Sequence, residues 1–481
     1  MRTTAILSTL SAVGVSLAYT PPDQYQKPLS GERLSQQFQD DFNILKYTGG
    51  RGPYTDRRSA GVSRETPEQC TVDQVVMLMR HGERYPEPAD GAKIDIALAK
   101  VKQSGKPNYK GKFEFLNDWE YWVPDYCQLE AETFSGPYAG LNDAYNRGTI
   151  YRARYGHLLD TNKVTPYFTS GYSRVINTAR KFGEGFFGYN YSSSAALNII
   201  SEDESQGANS LTPGCFKGTN VDDLIAEKCD KFQDELPQLK AATARLNKEL
   251  PGAHLNTTDT FFLMATAMFE LNARPWSPWI NVFTPEEWVA FNYVNGLWFY
   301  HCFGPGNPYQ VAVGSVFANA TLTALNEGPE KHPLLLNFAH DTQISPLVGA
   351  LGLLDDGDLP HTHMKFLSPW QITDIVPMGA HIVFERLNCS ETGISEAGTY
   401  VRVILNEGVI PLNDCQNGPG FSCSLKNFTE HYQKKLPDYV DKCGVPKKYP
   451  QHFDMWWNYN TTNDLNYQKG PITCASGQAM E

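Results

Sequence analysis

The sequence predicts an α/β fold: a mixed, mainly parallel sheet flanked by helices, with an inserted, mostly helical second domain. Three observations predict it. First, short apolar runs of strand type end in polar clusters at three places, namely Arg80-His81-Gly82, Thr169-Ser170-Gly171-Tyr172-Ser173-Arg174 and Ala339-His340-Asp341. Second, apolar residues at helical spacing follow those clusters, so the unit strand, polar loop, helix recurs. Third, two long stretches between the units read as helical and lack strand alternation. In parallel sheets ligands sit outside the carboxyl ends of the strands, and all three polar clusters fall at such ends.

The elements follow in chain order. Met1-Arg2, an apolar stretch over residues 5–15 and Ser16-Leu17-Ala18 describe a secretory signal over residues 1–18, cleaved after Ala18. The stretch is too short to span a bilayer, and no later segment has 18 uninterrupted apolar residues. A secreted, extracellular chain without a membrane partner is expected. Residues 19–65 are polar and aperiodic and are expected to form an arm on the surface or on a neighbouring subunit. Residues 72–79 are the first strand, and residues 164–168 the second. Val175, Ala179, Phe182 and Phe186 then mark a helix that Gly188 stops. Residues 334–338 are the third strand, followed by a helix carrying Ile344, Leu347, Val348 and Leu351.

Residues 66–94, 161–205 and 305–481 are thereby expected to build the α/β catalytic domain. Residues 95–160 and 206–304 are expected to form the helical insertion over the sheet's active end. Within the insertion, residues 261–271 are apolar and helix-compatible, and Thr284-Pro285-Glu286-Glu287 is a helix start with Thr as N-cap, Pro at N1 and Glu at N3. Residues 381–387 and 400–405 alternate, which predicts an antiparallel pair on the sheet edge.

Composition narrows the function classes. The 481 residues are 41% hydrophobic and 20% charged, with a formal net charge of −12 and no long basic run. A nucleic-acid partner is disfavoured. Ten cysteines, an even number with no C-x-x-C pair, indicate disulfides in an oxidising compartment, and zinc spacing is absent. Glycosylation sequons occur at Asn190, Asn256, Asn319, Asn427 and Asn460; that at Asn388 is set aside because Cys389 lies inside it. His361-Thr362-His363 follows an acidic run and Pro360, and reads as a solvated loop rather than a metal site.

The chemistry resides in the three polar clusters. Arg80, Arg84 and Arg174 supply guanidinium forks that match tetrahedral oxyanions such as phosphate. A histidine among them, His81, feels a positive potential that keeps its imidazole neutral, hence nucleophilic, in acid. Asp341 supplies the acid that a leaving alkoxide needs, and His340 suits a hydrogen-bond donor to a phosphate oxygen. The guanidiniums take over the charge neutralisation a metal would provide, so neither metal nor cofactor is expected. Arg-His-Gly-x-Arg-x-Pro arises by chance in a chain of this length on the order of once in ten thousand. A phosphate or inositol-phosphate binding protein without turnover, or a metal-dependent phosphatase, is the alternative reading. Asp341 argues against the first, since a pure binder has no use for an acid beside the leaving group.

Arg80-His81-Gly82-Glu83-Arg84-Tyr85-Pro86 with a distant His340-Asp341 resembles the histidine acid phosphatases. S-G-P-Y-A-G-L (135–141), K-F-G-E-G-F-F-G-Y-N-Y (181–191), E-L-N-A-R-P (270–275) and W-W-N-Y-N-T-T (456–462) are similar to the secreted fungal acid phosphatases of the phytase B type. The resemblance implies His81 as the nucleophile that becomes phosphohistidine and Asp341 as the proton donor. It implies Arg80, Arg84, Arg174 and His340 as the phosphate-binding set, and phosphomonoesters, phytate among them, as substrates. It further implies a homo-oligomer, dimer or tetramer, and the pairs Cys70–Cys389, Cys127–Cys474, Cys215–Cys443, Cys229–Cys302 and Cys415–Cys423. The last pair closes a short loop and is also the one that spacing alone favours. Three acids and one lysine (Glu87, Asp90, Asp95 and Lys93) follow the motif. If they line the rim they repel phytate near neutrality, which predicts a broad monoesterase that takes phytate in strong acid.

Overall fold

The computed structural model describes residues 38–39, 42–57, 61–104, 108–189, 191–217, 227–229, 236–393 and 395–461. The signal segment, much of the arm, Asn190 and Cys474 lie outside the described residues. Eight strands form one mixed sheet. They are β1 (Cys70–Arg80), β2 (Thr165–Ser170), β3 (Ala195–Ile200), β4 (Leu334–Ala339), β5 (His381–Cys389), β6 (Gly398–Leu405), β7 (Gly408–Ile410) and β8 (Cys423–Ser424). Their order is β8-β6-β5-β1-β4-β2-β3, with β7 also on β6. β1, β4, β2 and β3 run parallel; β5, β6, β7 and β8 pair antiparallel, with β5 docked on β1.

The helices that matter here are α1 (Pro88–Lys102), α2 (Gly140–Tyr155), α3 (Ser173–Phe187), α4 (Pro237–Glu249), α5 (Thr257–Ala273), α6 (Pro285–Phe303), α7 (Pro308–Glu327) and α8 (Asp341–Ala350). The apolar run of β1 is continuous because the sheet is covered on both faces. Val75, Met77 and Met79 join the core under α2 and α3, whereas Val76 and Leu78 join the core of α4–α8. The predicted start of α6 forms as a capping box. Thr284 Oγ1 accepts from Glu287 N at 3.3 Å, and Glu287 Oε2 accepts from Thr284 N at 2.9 Å. Four disulfides, Cys70–Cys389, Cys215–Cys443, Cys229–Cys302 and Cys415–Cys423, occur among the described residues. Asn256, Asn319, Asn427 and Asn460 are exposed.

Three expectations are corrected. β5 is not on the sheet edge; it lies inside the sheet, between β1 and β6. Its His381 and Glu385 are fully buried in an ion cluster. α2 does not belong to the block over the active end: Tyr151 and Tyr155 pack with Met77, Met79 and Phe182 on the sheet. At Gly148 a Cβ would lie 2.2 Å from Phe182 O, so glycine lets α2 approach α3 closely. The described part of the arm is not an external strap. Ile44, Leu45, Thr48 and Tyr54 are buried, and Gly49 N donates to Thr373 Oγ1 at 2.8 Å. An irregular backbone whose polar groups find core partners leaves no periodic signal. The expected loop at His361-Thr362-His363 is irregular, with His361 stacked on His301 at 4.8 Å.

Candidate active site

The carboxyl ends of β1, β2 and β4 converge on a cavity of about 700 Å³. Backbone pairing fixes how β1 ends. Arg80 N donates to Ala380 O (2.7 Å), His81 N to Ala339 O (3.1 Å) and Gly379 N to His81 O (2.8 Å). The chain therefore leaves the sheet clamped from both neighbours, with His81 directed by scaffold rather than by a free loop.

Of the six residues singled out in sequence, Arg80, Arg84, Arg174, His340 and Asp341 line the cavity. His81 is not among the lining residues: it is 1% exposed, with its ring centroid 5.8 Å from that of His340. Its Nδ1 is 2.8 Å from Gly82 O. A carbonyl only accepts, so Nδ1 carries the hydrogen and Nε2 keeps the lone pair. Burial holds the imidazole pKa well below its ordinary 6.5, and the charges of Arg174, Arg80 and Arg84 push it the same way. Desolvation is thus the leading cause, ahead of the arginine field inferred from sequence.

Arg80 is buried, with Nη1 donating to Gly50 O (2.7 Å) and Val376 O (2.5 Å). Its Nη2 lies 2.7 Å from Asp341 Oδ2. Burial lowers its pKa to about 10, where it remains a cation. Asp341 is the first residue of α8 and its side chain is 19% exposed. Burial raises its pKa, but the guanidiniums of Arg80 and Arg84 outweigh that and hold it below the ordinary 3.8. Arg84 Nη1 donates to Tyr85 O at 2.9 Å, and its guanidinium lies over Phe269. Arg174 lies over Tyr172. His340 Nε2 meets Glu202 Oε1 at 2.9 Å.

Carboxylates therefore accompany the cations. Glu87 Oε1 lies 2.9 Å from Arg84 Nη2 and 3.1 Å from Arg174 Nη2. Glu130 Oε2 is 3.6 Å from Arg174 Nη1. Asp90 and Lys93 also line the cavity, whereas Asp95 faces away and accepts from Tyr126 at 2.7 Å. Sequence reasoning missed Arg51, which lines the cavity and pairs with Asp90 at 2.5 Å. It also missed Glu130, Glu202 and Tyr172. The Gly-Gly-Arg-Gly run at 49–52 was the available signal for Arg51.

Next to His81 lies a second, buried layer. Gly82 N donates to Thr178 Oγ1 (2.9 Å) and to Glu132 Oε1 (3.1 Å). Tyr54 N donates to Glu83 Oε1 at 2.8 Å. Burial raises the Glu83 carboxyl to about 7 and the Glu132 carboxyl to about 8. A Cβ on Gly82 would lie 2.7 Å from Glu132 Oε1 and 2.8 Å from Gly140 O, so only glycine fits after the histidine.

Residues 71–406 match the family model of the histidine phosphatase superfamily, branch 2. The chain is 36% identical to a Candida albicans phytase over 94% of its own length and 98% of that protein's. It is 36% identical to an acid phosphatase of Komagataella pastoris, over 88% of this chain and 92% of that one. The crystal structure of the phytase from D. castellii superposes with a TM-score of 0.81 at 35% identity, covering 88% of this chain and 92% of that one. A Bifidobacterium longum multiple inositol polyphosphate phosphatase shares the fold at a TM-score of 0.57 and 13% identity, over 80% of this chain and 97% of that one. The family model spans more than half of the sequence and the fungal relatives nearly all of it, and the chain belongs to the histidine phosphatase superfamily, branch 2.

Proposed function

We propose that the chain is a secreted acid phosphatase that hydrolyses phosphomonoesters, phytate among them, through a phosphohistidine on His81. The observation that carries this reading is the convergence of Arg80, Arg84, Arg174, His340 and Asp341 on one cavity, with the His81 ring 5.8 Å from that of His340. The guanidiniums hold the phosphoryl oxygens and spread the charge of the transition state. His81 Nε2 donates its lone pair to phosphorus as the ester P–O bond breaks. The leaving oxygen takes the Asp341 proton, giving the alcohol. Water then attacks the phosphohistidine, the Asp341 carboxylate accepts its proton, and inorganic phosphate leaves with neutral His81 restored.

The arginines beside Asp341 favour its ionised form, so the proton donor is available in acid. A bound phosphate dianion offsets those arginines and moves the carboxyl back toward protonation. The donor and the neutral nucleophile thus coexist only in an acidic window.

Mass spectrometry and acid quench test the reading. Labelled ester should leave acid-labile, base-stable label on the wild type and none on His81→Ala. Undiminished turnover in excess chelator would separate it from a metal-dependent phosphatase. The broad-substrate hypothesis rests on Glu87 and Asp90 lining the cavity together with Arg51 and Lys93. Phytate and an aryl phosphate should be hydrolysed with converging efficiency as pH falls from about 6 to about 2. Strong phytate preference at the upper end contradicts that. The same reading carries export through the signal segment and a homo-oligomeric assembly, which size-exclusion chromatography of the secreted protein examines.

A further inference from the structure

Glu87 stands immediately before Pro88, at the N-cap of α1. A polar side chain at that position ordinarily takes the free N–H groups of the first turn. The Glu87 side chain makes no such bond. It turns instead to the cavity, where Oε1 alone bridges Arg84 Nη2 (2.9 Å) and Arg174 Nη2 (3.1 Å). One carboxylate oxygen thus faces two guanidiniums, whose donors suit phosphate oxygens equally.

Nor does the carboxylate satisfy the pair. Arg84 and Arg174 are 6% and 8% exposed. Arg84 Nε and the Nε and Nη1 of Arg174 have no hydrogen-bond acceptor among the described residues, Glu130 standing off at 3.6 Å. Those buried donors suit a ligand with more oxygens than one carboxylate directs at them. The exposure of the two sides also differs. The arginines are enclosed by protein, whereas the Glu87 side chain is 41% exposed and has open solvent to swing into.

We propose that Glu87 is an internal competitor of the substrate's phosphoryl group. Its carboxylate occupies the Arg84–Arg174 fork in the free protein and is displaced when a phosphomonoester binds, so that it sets affinity rather than chemistry. This rests on the preceding reading of the arginines as the phosphate-binding set. Product is subject to the same competition: phosphate leaves as the carboxylate returns.

The test uses the full secreted chain and two variants, Glu87→Gln, which keeps size, and Glu87→Ser, which also empties the fork. At one fixed acidic pH, the inhibition constant of inorganic phosphate and the KM of an aryl phosphate are measured. Both should fall about three- to tenfold in each variant, a gain of about 0.7–1.4 kcal/mol. Equal thermal midpoints guard against a folding effect. An unchanged or raised phosphate inhibition constant overturns the proposal. Hydrolysis by wild type and its loss in His81→Ala test the underlying reading separately. If turnover depends on His81 yet phosphate inhibition ignores Glu87, the competitor proposal alone fails.

Discussion

At the scale of the residue, the site separates two tasks that a single acidic pH makes compatible. His81 must stay unprotonated, and its enclosure together with three guanidiniums secures that. Asp341 must be protonated for part of the cycle while Arg80 lies 2.7 Å away. In the proposed reaction, His81→Ala removes the nucleophile and should lower kcat by at least about 10³-fold for every ester. Asp341→Asn removes only the proton donor, worth about 10²–10⁴-fold in general acid catalysis. Its cost should be near the upper end for an alkyl phosphate and small for a nitrophenyl ester, whose leaving group needs no proton. Equal losses on both esters would show that Asp341 does something other than protonate the leaving oxygen. The six residues singled out in sequence stand at a strand end or within four residues of one, where composition switches from apolar to charged, and five of them line the cavity. Arg51, Glu130 and Glu202 were not legible: none belongs to a motif or to a periodic pattern, and only the tertiary fold brings them to the cavity.

At the scale of the element, α2 and the β6–β7 turn are held together by a buried ion cluster. Glu407 Oε2 accepts from Arg154 at 2.8 Å and Arg64 at 3.2 Å, and its Oε1 meets Arg147 at 3.3 Å and His381 at 3.1 Å. Asn406 and Glu407 both have positive φ, 47° and 66°, the pattern of a tight hairpin turn. Asn tolerates that conformation and Glu does so at some cost in strain; the cluster offsets it. Glu385 extends the network to Arg64 and Arg402. Replacing Glu407 by Ala takes their shared carboxylate from Arg64, Arg147 and Arg154, with Glu385 left to pair Arg64, and should destabilise the fold by about 3–5 kcal/mol. Chemical denaturation would read this directly, and a loss under 1 kcal/mol would mean the cluster is better solvated than its burial implies. This network also explains where element-level reading fell short. Strands with a charged end and helices with an apolar stripe were legible from period. In β5, His381 and Glu385 mimic a solvated edge because sequence carries no sign that their partners, Arg64 and Glu407, are also interior. In α2 the period announces a helix but not which layer its Tyr151 and Tyr155 will cover.

For the whole molecule, the buried titratable groups define a stability window in pH. Glu83 and Glu132 are raised from 4.5 to about 7 and about 8 by burial. A raised acid contributes stability that is full below its unfolded value and is lost as pH rises through the folded one. His81 and His381 are lowered, chiefly by burial, and His301 falls to about 4. These contribute stability that is full above 6.5 and declines as pH falls toward their folded values. Glu385, held down to about 2 by Arg64 and Arg402 against the opposing effect of burial, adds to the loss on the acid side below 4.5. Between about pH 4.5 and 6.5 the glutamates and histidines oppose each other, so the melting temperature should pass through a plateau there. Above 6.5 the histidines contribute no further slope and the raised carboxyls, Glu83, Glu132 and Asp143, act in one direction, so stability should fall toward pH 8. Glu132→Gln keeps the shape of the neutral carboxyl and removes its ionisation. It should flatten this alkaline decline, by an amount on the order of a few kcal/mol at pH 8 relative to wild type. Scanning calorimetry of both proteins from pH 4 to 9 reads the difference. A wild-type melting temperature that climbs from pH 6 to 8, or a variant whose decline is as steep as the parent's, would mean that Glu132 is ionised next to His81. Gly82 would then be held by a charge, and the acid window of the enzyme would have to come from the cavity residues alone.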